Sequence, residues 1–240
     1  IKNLDPVFYF IKKTNNGRHA KAYLKNKTRN IKSIEELKKL IPFFNSIGWH
    51  QGLFHKFYSI NPKTRAPHTE EFFHNLFPTP FEESINKASK KYNIEREIIY
   101  SITRQESAFE LFSRSHAEAY GPMQITPENA RRLSKRYKIP YGRAKDLYNP
   151  QINFDLGSAL LKGLQKKFNQ QFIFYIAAYN ANNASVRRWA EERYDGDAFK
   201  FIELIPYNET KNYVMLVLRN YINYKRITNK KPFYFPRDIL

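Results

Sequence analysis

Apolar residues return at intervals of three and four along most of this chain, and no valine-rich run alternates apolar with polar residues as a strand would. With only 8 glycines in 240 residues, little of the turn chemistry of a sheet protein is present. The pattern predicts an all-α fold. Residues Ile34 to Phe43 and Phe81 to Tyr92 form two amphipathic stretches. Asn93 stands where it could cap a helix with apolar positions Ile94, Ile98, Ile99, Ile102 and Phe109, and with Glu95 near its positive end. Thr126-Pro127-Glu128 reads as an N-cap, a first-turn proline and a first-turn acid, and Asn149-Pro150 opens a second helix carrying Ile152, Leu156, Leu160, Leu164 and Phe168. A last long helix is predicted from Asn208, with Tyr213, Val217, Tyr221 and Tyr224 on neighbouring turns, before the proline-broken tail Lys230 to Leu240.

The double proline of Pro78-Thr79-Pro80 is the expected domain boundary, giving an accessory region 1–77 and a main domain 78–240. Hydrophobic residues make up 42% of the chain and aromatic residues 16%, enough to bury real cores. The apolar run Phe172 to Ala178 falls far short of the roughly 20 residues of a membrane-spanning helix, so no transmembrane segment is expected. The chain opens at Ile1 without a methionine or a signal pattern, which suggests a processed or cut N-terminus and leaves the compartment open.

Several chemistries are excluded. Zero cysteines remove disulfides, thiolate nucleophiles and cysteine-based zinc sites. The six histidines include no pair at i and i+4 with an intervening glutamate, and the scattered glycines form no phosphate loop, so no metal or other cofactor is predicted. The net charge of +19, from 41 basic and 22 acidic residues, favours an anionic polymer as partner. Nucleic acid, acidic lipid and cell-wall glycopeptide all qualify by charge, but the basic residues are spread along the chain without a groove-reading motif, which argues against nucleic acid.

One acid stands out. Glu106 lies four residues beyond Ile102 and eight beyond Ile98, on the apolar stripe of its helix. Desolvation there would favour the neutral acid and raise its pKa, as a general acid near neutral pH requires. By helix position alone, a pairing with a nearby arginine such as Arg104 explains the residue better.

The neighbours bear on that choice. Ser101-Ile102-Thr103-Arg104-Gln105-Glu106-Ser107-Ala108-Phe109 is followed by Gly121-Pro122-Met123-Gln124-Ile125-Thr126-Pro127, by Ala177-Ala178-Tyr179-Asn180-Ala181-Asn182, and by Ile205-Pro206-Tyr207-Asn208-Glu209-Thr210-Lys211-Asn212-Tyr213-Val214. This ordered set, between about residues 78 and 226, resembles the soluble lytic transglycosylases. The resemblance implies a lysozyme-like helical catalytic domain preceded by a small helical linker domain. It further implies cleavage of the MurNAc–GlcNAc β-1,4 linkage of peptidoglycan to leave a 1,6-anhydro-MurNAc end, in the periplasm and without a cofactor.

Carried over residue by residue, the resemblance makes Glu106 the single acid and then base, with the sugar's own C6 hydroxyl as nucleophile. Tyr179 would hydrogen-bond Glu106, with Ser107 and Asn180 in support. Ser115, Met123, Gln124, Thr126, Ala178 and Glu209 would line the glycan groove, Met123 packing beneath it. Glu209, second in its helix, could equally complement the helix dipole. Glu110 and Glu118 are the only other acids within the first two motifs and the loop joining them, and neither belongs to the family pattern. Pro122 replaces the usual leucine, Tyr120 and Glu118 replace small residues, and Asn182-Asn183 replaces glycine-proline. A groove of different shape is expected. The family's long N-terminal ring of helices has no counterpart here, so the chain reads as the C-terminal portion of such a protein or a shortened relative, with cell-wall proteins as further conceivable partners. A lysozyme-type peptidoglycan hydrolase and a non-catalytic glycan-binding module are the alternatives.

Overall fold

The computed structural model describes residues 6–13 and 17–229, so the tail Lys230 to Leu240 lies outside the described residues. Within them the fold is all-α. No strand is present, and the extended pairing among the described residues is confined to isolated bridges from Tyr120 to Arg114 and to Ile125. No described helix is long and apolar enough to cross a membrane. The chain divides into two compact units between Pro78 and Thr79.

The first unit contains α1 (Pro6–Lys13), α2 (Gly17–Lys27), α3 (Ile34–Ser46), α4 (His50–Ser59), α5 (Pro62–Arg65) and α6 (Phe73–Leu76). Its core is rich in aromatic rings: Phe8, Phe44, Phe57, Phe72 and Phe73 are buried, with Phe57 and Phe72 at 4.9 Å. Helix α3 runs past Pro42 to Ser46, beyond the Phe43 expected from the pattern.

The second unit contains α7 (Glu82–Tyr92), α8 (Arg96–Ser107), α9 (Pro127–Tyr137), α10 (Pro150–Lys167), α11 (Phe172–Asn180), α12 (Asn183–Arg193), α13 (Ala198–Leu204) and α14 (Asn208–Asn229). The predicted caps hold for α9 and α10: Thr126 accepts from the Asn129 amide at 3.4 Å, and Asn149 from the Ile152 amide at 3.2 Å. Asn93 does not open α8. It adopts φ 51 and closes α7, because asparagine tolerates the left-handed region, and α8 begins at Arg96 after Glu95. Asn182 finds its use as the cap of α12, accepting from the Ser185 amide at 2.8 Å.

Helix α8 packs most extensively against α14, and α10 against α7. Between α8 and α14, the fully buried Asn220 donates to the Ser101 carbonyl at 3.2 Å and accepts from Arg104 at 3.1 Å. Arg104 is thereby turned toward α14, and the pairing with Glu106 that helix position allowed is not formed. Within α10, Gly157 lets another segment come close: a Cβ there would lie 2.7 Å from Met123 Cε and 3.1 Å from Met123 Cβ. Met123 is fully buried, so it has little room to yield.

Gly157→Ala should therefore lower stability by about 1–3 kcal/mol through overpacking, despite the usual gain of alanine in a helix. Gly163→Ala, on the same helix with nothing within 4 Å of the added Cβ, should be neutral or stabilising. Thermal unfolding of both variants checks this, and a raised melting temperature for Gly157→Ala would contradict the packing described.

Candidate active site

Glu106 occupies the last turn of α8, just before the chain reverses through Ala108 and Phe109, both with left-handed φ (49° and 68°). Phe109 turns inward against Tyr100, at 6.3 Å between ring centroids. The reversal ends the helix one residue after Glu106 and leaves its carboxyl at a helix terminus facing α14.

There the Tyr213 hydroxyl donates to Glu106 Oε1 at 2.6 Å. Burial pushes the Glu106 carboxyl up to about 7, the donated bond from Tyr213 opposes that rise, and the charge of Glu209 adds to it. Its seat at the negative end of the α8 dipole works in the same direction as burial. Burial, reinforced by the neighbouring carboxyl of Glu106, holds the Tyr213 and Tyr179 hydroxyls well above the usual phenol range. Tyr213 therefore remains a donor throughout the neutral range.

The donor to Glu106 is Tyr213 and not Tyr179, correcting the expectation from the motif. Tyr179 instead donates to the Met123 carbonyl at 2.9 Å. That bond is one of several converging on a single short stretch of backbone. Ser107 donates to the Pro122 carbonyl at 2.8 Å. Asn153, fully buried on α10, gives both amide hydrogens to carbonyls, those of Tyr120 and Leu147 at 2.9 Å each, and accepts from the Met123 amide at 2.8 Å. Three side chains from α8, α10 and α11 thus grip residues 120–123. Gly121 adopts φ 75 inside this grip, and a Cβ there would press on the Asn153 amide and the Leu147 carbonyl, so glycine is required twice over.

The remaining predicted residues fall at differing depths. Gln124 takes the left-handed conformation at φ 49 and folds its amide back onto the Gly121 carbonyl at 2.8 Å. Ser115, half-exposed, accepts from the Ala119 amide at 3.1 Å and closes its loop. Thr126 is half-exposed and spends its oxygen on capping α9. Met123 and Ala178 are buried, so both pack under the site and neither offers a polar side chain to it. Asn180, the last residue of α11, accepts from the Thr210 hydroxyl at 2.8 Å and ties α11 to the start of α14. Glu209, one residue earlier, is exposed and is the first-turn acid of α14. Glu118 is engaged by Arg114 and by the Tyr120 hydroxyl.

Two contributors escaped the motif reading. Asn153 lies outside all four motifs, and its only sequence signal is a lone amide among the apolar positions of α10. Tyr213 stands inside the fourth motif, but the resemblance gave it no role. Among the described residues no group of three or more histidine or acidic side chains could hold a metal ion.

With this geometry in hand, the likeness to known proteins is informative. The profile of the transglycosylase SLT domain matches residues 83–202. A relative in Haemophilus influenzae is 34% identical over 165 residues, 68% of this chain and 28% of that protein. The soluble lytic murein transglycosylase of Escherichia coli K12 is 33% identical over 158 residues, 65% of this chain and 24% of that protein. This chain thus spans about a quarter of the length of these two relatives. The solved structure of a 70-kDa soluble lytic transglycosylase in complex with bulgecin A aligns with TM-score 0.82 at 26% identity, over 95% of this chain and 36% of that one. An inactive glutamate-to-glutamine mutant of the lytic transglycosylase Slt from Pseudomonas aeruginosa aligns with TM-score 0.76 at 25% identity, over 96% and 38%. The all-α, lysozyme-like architecture expected from the motifs agrees with these neighbours, and the chain belongs to the transglycosylase SLT domain family.

Proposed function

We propose that this chain cleaves peptidoglycan glycan strands as a lytic transglycosylase, with Glu106 as the acid and then the base. The observation that carries this is the Glu106 carboxyl, raised to about 7 by burial and bonded by Tyr213 at 2.6 Å. Near neutral pH such a group holds a proton to give and can take one back. Its proton would pass to the glycosidic oxygen as the C1–O4 bond breaks. The carboxylate would then accept the proton of the C6 hydroxyl as O6 bonds to C1, leaving 1,6-anhydro-MurNAc and consuming no water. Tyr213 would stabilise the carboxylate stage. Ser107 and Tyr179 would act by holding the 120–123 backbone, with Met123 and Ala178 beneath it and Asn180 securing α14. Ser115, Gln124, Thr126 and Glu209 would meet the glycan and its peptide stem. Residues 1–77 would serve as a linker or accessory domain, and the setting would be the cell wall of the periplasm. A glutamate-to-glutamine mutant of the structurally similar Slt from Pseudomonas aeruginosa is inactive, which supports this assignment.

One observation favours a second reading. Glu209 is an exposed carboxylate close enough to raise the pKa of Glu106. A lysozyme-type hydrolase needs such a second carboxylate, at about 5–5.5 Å for retention or about 6.5–9.5 Å for inversion. The products separate the two. Mass spectrometry of digested peptidoglycan should show anhydro-muropeptides, one water lighter than hydrolysis products. Reducing ends in their place would establish the hydrolase.

Glu106→Gln should bind glycan yet lose turnover by about a thousandfold, and undiminished cutting by that variant would overturn the mechanism. Because the acid must enter protonated, kcat/KM should fall as pH rises through about 7. Tyr213→Phe removes a donor that favours the carboxylate, so it should lower the rate and move this alkaline limb to higher pH. A pH–rate profile unchanged in Tyr213→Phe would show that the bond plays no part.

A further inference from the structure

We infer that Phe112 is a substrate-positioning residue: its ring, backed by Tyr148, forms a stacking platform for a sugar ring of the glycan strand beside the turn that borders Glu106. This rests on the glycan-cleaving reading above and adds to it a contact that none of the four motifs contains. Phe112 is 69% exposed, more than any other large apolar side chain described. Leaving an aromatic ring in water forgoes the stabilisation that covering it would bring.

The ring does not stand alone. Phe112 meets Tyr148 at 5.4 Å between centroids with planes at 64°, and Tyr148 meets Tyr120 at 5.8 Å and 66°. The Arg114 guanidinium lies over the Tyr120 ring at 5.4 Å. A ridge of three edge-packed rings results, buried at Tyr120 and open at Phe112. Edge-to-face contacts of this kind fix ring orientation.

The ridge is continuous with the site. Ser113, next to Phe112, accepts from the Gly121 amide at 2.9 Å and from the Gln124 side chain at 3.5 Å. The Asn153 side chain holds the Tyr120 and Leu147 carbonyls through its Nδ2 and the Met123 amide through its Oδ1. One buried side chain thus sets both the backbone bearing the ridge and the backbone bordering Glu106, so the platform is preorganised at a fixed place relative to the acid. A pyranose ring presents C–H bonds on its flat faces and hydroxyls around its rim. An exposed aromatic face covers the former and leaves the latter in water, whereas a peptide or an anion would gain little from it.

Two measurements on peptide-free glycan strands test this. In turnover, Phe112→Ala should raise KM about tenfold with kcat within about twofold and an unchanged melting temperature. Phe112→Trp should restore KM, and Phe112→Leu, apolar without a ring, should not. An unchanged KM in folded Phe112→Ala, or full rescue by leucine, would overturn the platform. In binding, Glu106→Gln/Phe112→Ala should hold the strands about tenfold more weakly than Glu106→Gln alone. If the native chain cuts no glycan, the proposed activity fails while this comparison still decides the platform: weaker binding supports it, and equal binding overturns it. Equal binding accompanied by self-association that Phe112→Ala abolishes would assign the ring to a contact between copies.

Discussion

The site depends on one piece of backbone being held still. Residues 120–123 belong to no helix, and a loop of that kind would wander unless its polar groups were anchored. Here they are claimed by Asn153, Ser107 and Tyr179, each from a different helix. These bonds give partners to the Pro122 and Met123 carbonyls and the Met123 amide, and a backbone group of that kind left buried and unpaired costs about 1–3 kcal/mol. The same bonds explain the steric demands around them. Gly121 must be glycine to sit against the Asn153 amide, and Gly157 must be glycine to admit Met123.

The acid beside this turn is governed by two opposed effects. Burial drives the Glu106 carboxyl toward its neutral form, and Tyr213 draws it back toward the anion. Burial prevails, which is what allows a proton to be present at neutral pH. The balance has a consequence for folding. The pKa of Glu106 is raised above 4.5 in the folded chain, so its contribution to stability is complete below pH 4.5 and is lost as pH rises through about 7, by at most about 3 kcal/mol. A carboxyl buried in this way is a burden on the fold that hosts it, and the extensive packing of α8 against α14 offsets it.

Much of this was legible in the sequence. The caps at Thr126 and Asn149 and the start of α14 at Asn208 follow from local chemistry, because a cap is satisfied within three residues of itself. Asn93 shows the limit of such reasoning, since an asparagine between helices can either open the next or close the last. The stripe of Ile98 and Ile102 located Glu106, and the ordered motifs suggested the chemistry proposed for it. Motifs say which residues gather but not which atom each one meets. The donor to Glu106 comes from Tyr213, 107 residues away on another helix, and that pairing is decided by how α8 and α14 cross. Asn153 was invisible for a related reason: its value lies in three backbone groups that only tertiary packing brings to it.

The proposed chemistry requires Glu106 to carry a proton near neutral pH. Its direct test is an NMR titration of the chain labelled with carbon-13 at glutamate side-chain carboxyls, with the Glu106 resonance assigned by its loss in Glu106→Gln. The predicted result is a single carboxyl titrating near 7, apart from the exposed glutamates. A Glu106 carboxyl titrating near 4.5 with the rest would contradict it.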